Sequence, residues 1–425
     1  MPDRKAIPPY KTITSPVIPG SSMLLLDNGI PLHWISTGDQ EAIRIECLFP
    51  ALSWQYPHPK ISFFGVKMLL EGTGSKSSAE IARALDLYGA FTEIVHTPDY
   101  YGLTIYTMPK FLPHVLPIVA EVLDDASFPQ KEWDNLLNIV SQQLKVNQEQ
   151  NSWLAGSKFK AALFGESSRY GYSQNEADLG TIQIEDTKAF YSAFIRESPF
   201  YVFASGKVSD ASVGLIGRYL GSRAVGRTPL PPLVSSPGRA PEAAGRIEVS
   251  KSGSSQYTLR MGRKAPGRLH PDYFKTLVTN EVLGGYFGSR LMKNIREEKG
   301  LTYGISSYLP ALRDSAYFMI ATDVNKGSLG ELLGEIRKEF DILQTQTIAD
   351  KELERVKNVM SGEFARSLGT AFEIGDLHQT AVMCGLPSSF YDTYLDNIRA
   401  VTAEDVQSTA LNLLDIGQMT EVVVG

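Results

Sequence analysis

Cysteine is nearly missing from this chain. Its 425 residues hold only Cys47 and Cys384, far apart in sequence. That excludes a disulfide framework and a cysteine-rich zinc site, and a reducing, cytoplasmic location is expected. Histidine is almost as scarce. His33, His58, His96, His114, His270 and His378 are the whole set, and no two fall within five residues of each other. Neither His96 with Asp99 nor Asp376 with His378 and Cys384 has a recognised ligand spacing. Long apolar runs are missing too: the most apolar early run is Met23 to Leu26, and Met1 to Gly20 carries charge and proline without an apolar stretch. Neither a secretory signal nor a membrane span is expected. Excess positive charge is also lacking, since 41 Lys and Arg stand against 47 Asp and Glu for a net charge of -6. A nucleic-acid polyelectrolyte binder is thereby disfavoured.

What is present is enough apolar residue, 43% of the chain, to bury more than one core. Between Leu220 and Arg246 the composition shifts, with Pro229, Pro231, Pro232, Pro237 and Pro241 among glycine, serine and arginine. This reads as a linker whose basic excess is a solvated strap rather than a binding patch. The chain repeats itself on either side. Phe128-Pro-Gln-Lys131-Glu132-Trp133 before a long helical stretch to Gly156 matches Ile348-Ala-Asp-Lys351-Glu352-Leu353 before one to Gly375, at an offset of 220. Ile184-Glu185-Asp186 matches Ala403-Glu404-Asp405 at an offset of 219, each with acids in the first turn of a helix. A near-constant offset across separate elements implies two homologous halves. The expected organisation is an extension over 1–20, a first domain over 21–220, the linker over 221–246 and a second domain over 247–425.

In the first half the pattern predicts a hairpin-like start (Ser22 to Asp27, then Pro31 to Ser36) and a strand from Ala42 to Phe49. A helix from Ile61 to Glu71 is stopped by Gly72, and another from Ser78 to Tyr88 is broken by Gly89. Strands at Phe91 to His96 and Tyr100 to Met108 follow, then helices at Phe111 to Asp124 and Lys131 to Gln150. Hairpins beside long amphipathic helices predict an α+β fold, each domain an antiparallel sheet with helices on one face.

The run Phe63-Phe64-Gly65-Val66-Lys67-Met68-Leu69-Leu70-Glu71-Gly72-Thr73, the helix ending Tyr88-Gly89-Ala90, and the strand pair holding Asp99 and Tyr101 resemble the pitrilysin/insulinase family of zinc metallopeptidases. The similarity is greatest to its processing-peptidase-like branch and covers nearly the whole chain. Active members carry H-x-x-E-H on this helix, just before a sequence like M-L-x-x-G-T. Residues four apart share a helix face, so two imidazoles can hold one zinc while the glutamate activates water. Aligned on Met68 and Gly72-Thr73, the two histidine positions are Phe63 and Lys67 and the glutamate position is Val66. The third ligand, a glutamate on a later helix, falls at Gln143. The resemblance therefore implies a zinc-less chain with no cofactor of its own, in which a hydrogen bond from Lys67 to Gln143 fills the vacated site.

In the second half, Gly284-Gly285-Tyr286-Phe287-Gly288-Ser289-Arg290-Leu291 leads to Lys299-Gly300-Leu301-Thr302-Tyr303-Gly304. This is similar to the family's C-terminal signature, in which an arginine and a tyrosine seven residues later act together on substrate; here they match Arg296 and Tyr303. Such a pair would donate to the carbonyl of the scissile region and stabilise oxyanion development. From residue pattern alone, Arg296 equally suits a helix C-terminus and Tyr303, alternating with Leu301 and Ile305, equally suits the core. Gly284, Gly285 and Gly288 suit either a close pass of a peptide backbone or a plain turn between helices. Arg290 and Lys293 read as solvated or capping charges. The resemblance implies a non-catalytic, substrate-binding subunit of a heterodimeric metallopeptidase, with zinc in an H-x-x-E-H-bearing partner and peptides as substrates. The alternatives are a structural scaffold subunit and a homodimeric peptide-binding chamber, neither of them proteolytic.

Overall fold

The computed structural model describes residues 17–51, 60–226 and 244–425. Residues 1–16 of the extension, the segment 52–59 with His58, and 227–243 at the centre of the expected linker lie outside the described residues.

The first half runs β1 (Ser22–Leu25), β2 (Pro31–Ser36), β3 (Ile43–Pro50), α1 (Ile61–Lys67), α2 (Ser78–Asp86), β4 (Phe91–His96) and β5 (Tyr100–Thr107). It continues with α3 (Leu112–Asp124), α4 (Gln130–Gln148), α5 (Asn151–Phe164), α6 (Glu176–Thr181), α7 (Ile184–Tyr191), β6 (Tyr201–Gly206) and α8 (Asp210–Leu220). Its sheet has the order β1-β2-β6-β3-β5-β4. The second half runs β7 (Gly245–Val249), β8 (Gln256–Lys264), α9 (Tyr273–Asn280), β9 (Ile305–Tyr308), β10 (Tyr317–Asn325) and α10 (Leu329–Thr345). It ends with α11 (Asp350–Arg366), α12 (Ala371–Met383), α13 (Tyr394–Ala400), α14 (Ala403–Leu413) and β11 (Thr420–Val424). Its sheet has the order β7-β11-β8-β10-β9. Without β1 the two orders match strand for strand, and the repeated sequences fall on α4 and α11 and on α7 and α14. The fold is α+β with two matching units. No helix among the described residues is long and apolar enough to cross a membrane.

Three features refine the expectation. Each sheet is mixed, with β2 parallel to β6 and β7 parallel to β11. The last strand of each half inserts between two strands that run in opposite directions, so it must be parallel to one of them. Second, helices cover both faces. On one face of the first sheet Phe64, Val115, Phe190 and Ile216 build a core, but its other face takes Met383 of α12 against Leu48, Tyr201 and Phe203. Reciprocally, Ala155, Phe159, Leu163 and Phe164 of α5 cover Val422 and Val424 of the second sheet. Strands β3, β6 and β11 are consequently buried at every residue rather than alternately. Third, each expected long helical stretch is two helices. Between α11 and α12 the Thr370 hydroxyl accepts from the Glu373 N–H at 3.2 Å and starts a new helix. These breaks let α5 and α12 leave their own unit and dock on the other.

Polar clamps reinforce this exchange. Arg44 on β3 reaches α12, pairing with Asp376 at 2.6 Å and donating to the Phe372 carbonyl at 3.0 Å. At the turn before β5, the Asp99 carboxylate accepts from the Tyr170 hydroxyl at 2.6 Å and from the Arg313 N–H at 3.1 Å. Asp99 and Asp376 are thus committed to holding the halves together, which removes both as metal ligands.

Candidate functional site

Helix α1 forms because Ile61, Phe64 and Gly65 lie on one face and bury against the first core, together with Ser62 and Val66. Val66, the position that the sequence resemblance gives to the general base, has no exposed surface. Phe63 and Lys67 share the opposite face, as residues four apart must. The Phe63 ring meets the His96 ring edge-on at 5.6 Å, with the Lys60 ammonium 4.6 Å and the Lys67 ammonium 5.8 Å from its centroid. The Ser62 hydroxyl lies 2.9 Å from His96 Nε2 and anchors α1 to the end of β4. Burial, then the charges of Lys60 and Lys67, push the His96 imidazole down to about 4, so it is neutral at physiological pH.

This donor set does not fit zinc. One imidazole, two ammonium groups and an aromatic ring replace the three or four N, O or S ligands that zinc requires. No group of three His, Cys, Asp or Glu suited to a metal occurs among the described residues. Gln143 is exposed on α4 and donates to Asn147 one turn away at 2.9 Å; the expected hydrogen bond from Lys67 is not formed among the described residues. An amide on a helix surface finds its partner locally more readily than a lysine already held over a ring. The other sequence candidates are also occupied: His378 packs on His33 at 5.4 Å, and Cys384 Sγ lies 3.9 Å from Arg268.

In the second half a π-helical segment, Met292–Glu298, ends at Gly300, whose φ of 64° is open chiefly to glycine. The Leu301 N–H returns to the Ile295 carbonyl at 3.0 Å and closes the helix end. Thr302 then pins the loop, its hydroxyl lying 2.6 Å from the Asp323 carbonyl and accepting from the Gly304 N–H at 3.1 Å. Tyr303 is therefore at the apex of a bend, not on a strand, and is 94% exposed. The core-facing alternative is corrected, because β9 begins only at Ile305. Arg296 and Tyr303 do come together: Arg296 Nε donates to the Tyr303 carbonyl at 3.0 Å, and its guanidinium lies 5.2 Å from the centroid of Phe287, an exposed ring. The arginine holds the loop by its backbone, and the tyrosine hydroxyl is left to solvent.

The glycines have an internal explanation. A methyl group at Gly284 would lie 2.7 Å from the Ser307 nitrogen of β9, one at Gly285 would strike the Glu281 carboxylate, and one at Gly288 would come within 2.8 Å of the Tyr286 ring. Arg290 is neither solvated nor capping: it makes a two-point pair with Glu352 at the start of α11, at 2.8 and 2.9 Å. Sequence reasoning did not single out Phe287, Lys60 or Lys160, and it considered His96 only together with Asp99. The available signals were a lysine just before α1, where helix-end electrostatics disfavour it, and a lysine interrupting the apolar run of α5.

The model of the family described as "Peptidase M16 inactive domain" matches residues 181–360. A protein called uncharacterized zinc protease YmxG from Bacillus subtilis is 24% identical over 83% of this chain and 85% of its own length. The chain is similar to the M16 peptidase family, through these matched residues and through relatives that span most of its length. Its fold is shared with the solved M16 inactive domain from Pseudomonas fluorescens, at a TM-score of 0.84 and 20% identity over 95% of this chain and 98% of that one. It is shared also with a protease from Helicobacter pylori, at a TM-score of 0.86 and 17% identity over 96% of this chain and all of that one. This is the pitrilysin/insulinase resemblance met in the sequence. The matched M16 residues begin after α1, so the match does not bear on Phe63, Val66 and Lys67.

Proposed function

We propose that this chain is the non-catalytic, substrate-binding subunit of a heterodimeric zinc metallopeptidase that acts on peptides. The observation that carries the reading is the contrast between the two halves. On α1 the positions for metal and base hold a ring, a buried valine and an ammonium, while the second half presents Tyr303 outward on a loop braced by Arg296. In this reading the partner is an H-x-x-E-H-bearing homologue that holds the zinc, and Tyr303 and Arg296 attend the substrate carbonyl. The peptide joins as an extra strand on a sheet edge. The free edge of β4 suits it, since β4 pairs only with β5 among the described residues and its last residue, His96, adjoins α1. The complex is placed in the cytoplasm, consistent with two free cysteines.

The test is reconstitution. The purified chain alone is expected to carry no stoichiometric zinc and to cleave no peptide, and cleavage is expected to appear on mixing with the homologue. One tightly held zinc per chain, or a homologue fully active alone and indifferent to an equimolar amount of this chain, would overturn the reading.

A further inference from the structure

The turn that brings Phe287 to Arg296 is built around a carboxyl group with no partner. Glu281 opens a π-helical turn, Glu281–Gly285, that follows α9. Its side chain packs so closely on Gly285 that a methyl group there would strike a carboxylate oxygen. Glu281 is 8% exposed, makes no hydrogen bond or ion pair among the described residues, and keeps Oε1 fully buried. Two more orphaned oxygens bracket the turn, Asn280 Oδ1 before it and Ser289 Oγ after it, both on buried residues. What holds the turn shut is the burial of Val282 and Leu283 in the second core. A π turn with this many unsatisfied groups is closed by packing against its own polar interests.

The protonation state of Glu281 decides what closure costs. A neutral acid can lie unpaired against a glycine, whereas a carboxylate in that place has lost its water and gained no cation. The surroundings supply none. α11 packs on this turn and turns Glu363 toward the carboxyl, the loop itself adds Tyr286 and α13 adds Tyr394. No cation of α9, α11 or β9 acts on it, and Arg355 acts on Tyr286 instead. Burial, then the charge of Glu363, accordingly pushes the carboxyl from 4.5 up to about 7. Outward movement of the turn would return the charge to water. Phe287, two residues past Gly285, would then leave the Arg296 guanidinium that lies 5.2 Å from its ring and holds the Tyr303 carbonyl. We propose that Glu281 is a proton-operated catch: protonated, it lets the Gly284–Gly288 turn close against Arg296, and ionised, it drives the turn open and frees Phe287. The inference adds regulation to the Arg296 and Tyr303 reading above and rests on it for any effect on cleavage. Because the value in the closed turn is the raised one, closure is fully favoured below about pH 4.5, weakens about tenfold per pH unit up to about 7, and is constant beyond.

The test is hydrogen exchange of the purified chain, read by mass spectrometry and corrected for the intrinsic effect of pH on amides. Between pH 5 and 7.5 the opening equilibrium over residues 284–290 should rise by on the order of 10² in the wild type and stay flat in Glu281→Gln. Amides of α10 should not follow, which separates the turn from global unfolding. Glu363→Gln, at an exposed position, should end the rise at a lower pH, and it carries the test if Glu281→Gln does not fold. Exchange over 284–290 that ignores pH in the wild type, or that follows the wild-type profile in both variants, overturns the catch. Cleavage by the reconstituted complex judges the parent reading separately: if no peptide is cut, that reading falls and the exchange profile still decides the catch.

Discussion

Replacing Arg44 with methionine tests how the two halves are locked. The Arg44 side chain is only 6% exposed and touches Glu46 at 3.2 Å, Asp376 at 2.6 Å and the Phe372 carbonyl at 3.0 Å. The contacts are unequal. Asp376 is 54% exposed, so its pair with Arg44 is screened and contributes at most about 1 kcal/mol. Glu46 is 8% exposed and would lose its only close cation, the situation in which breaking a buried pair costs roughly 3–5 kcal/mol. Glu46 has a partial escape, because burial already pushes its carboxyl up to about 7, against the pull of Arg44. At pH 5.5 it is protonated with or without Arg44, and the charge–charge loss disappears. What then remains is one hydrogen bond, one exposed pair and some packing, together about 1–2 kcal/mol. Arg44→Met should therefore destabilise by about 3 kcal/mol at pH 8 and by clearly less at pH 5.5. Adding Glu46→Gln should recover part of the loss at pH 8. Urea denaturation of the wild type, both single variants and the double variant at the two pH values measures this. A loss below about 1 kcal/mol at pH 8, or one that does not change with pH, would refute the reasoning.

Tyr303→Phe should leave stability within about 0.5 kcal/mol of wild type, since the ring is 94% exposed, yet lower kcat/KM of the reconstituted complex by on the order of 10² to 10³. Wild-type kinetics would remove its role. Arg296→Ala should lower kcat/KM as well, and the double variant should lose less than the product of the two, because Arg296 acts on the loop that carries Tyr303. Glu281 is buried beside Glu363, and burial with that neighbouring charge pushes its carboxyl up to about 7. A raised folded value favours the native state below the ordinary carboxylate range and withdraws that contribution as pH rises through about 7. Glu281→Gln should accordingly abolish a fall in stability of up to roughly 3 kcal/mol between pH 5 and 8.5, read from thermal or urea melts. Phe159→Ala, which empties a fully buried site on the second sheet, should cost about 3–5 kcal/mol; equilibrium unfolding that changes by less than about 1 kcal/mol would show that α5 does not bear on that sheet.

Strand and helix types were legible wherever a local period exists. The strand Phe91–His96 was read with both its ends, and the helix of Phe63 and Lys67 with its start. The helix from Lys131 reads as ending at Gln150, beside the end of α4 at Gln148, whereas the stretch from Lys351 to Gly375 reads as continuous across Gly369 because each piece is a good helix former by itself. The reason for the break, a helix that leaves to cover a sheet of the other unit, involves residues 263 positions away, as between Phe159 and Val422. Tyr303 was placed on a strand by its alternation with Leu301 and Ile305. The hydrogen bonds of Thr302 to the Asp323 carbonyl, across the sheet, make that stretch a bend instead.

By itself the sequence determined the two-fold repeat, the α+β class and the absence of any His, Asp, Glu or Cys from α1. Each of these is a matter of residue type at fixed spacing, which no packing arrangement alters. Only the tertiary structure decided that each half lends a helix to the other's sheet, that Asp99 and Asp376 serve as clamps, that Tyr303 points to solvent, and that His96, Lys60 and Lys67 gather around Phe63. Those outcomes depend on which distant surfaces are desolvated together, a property of the folded pair of units that local periodicity does not carry.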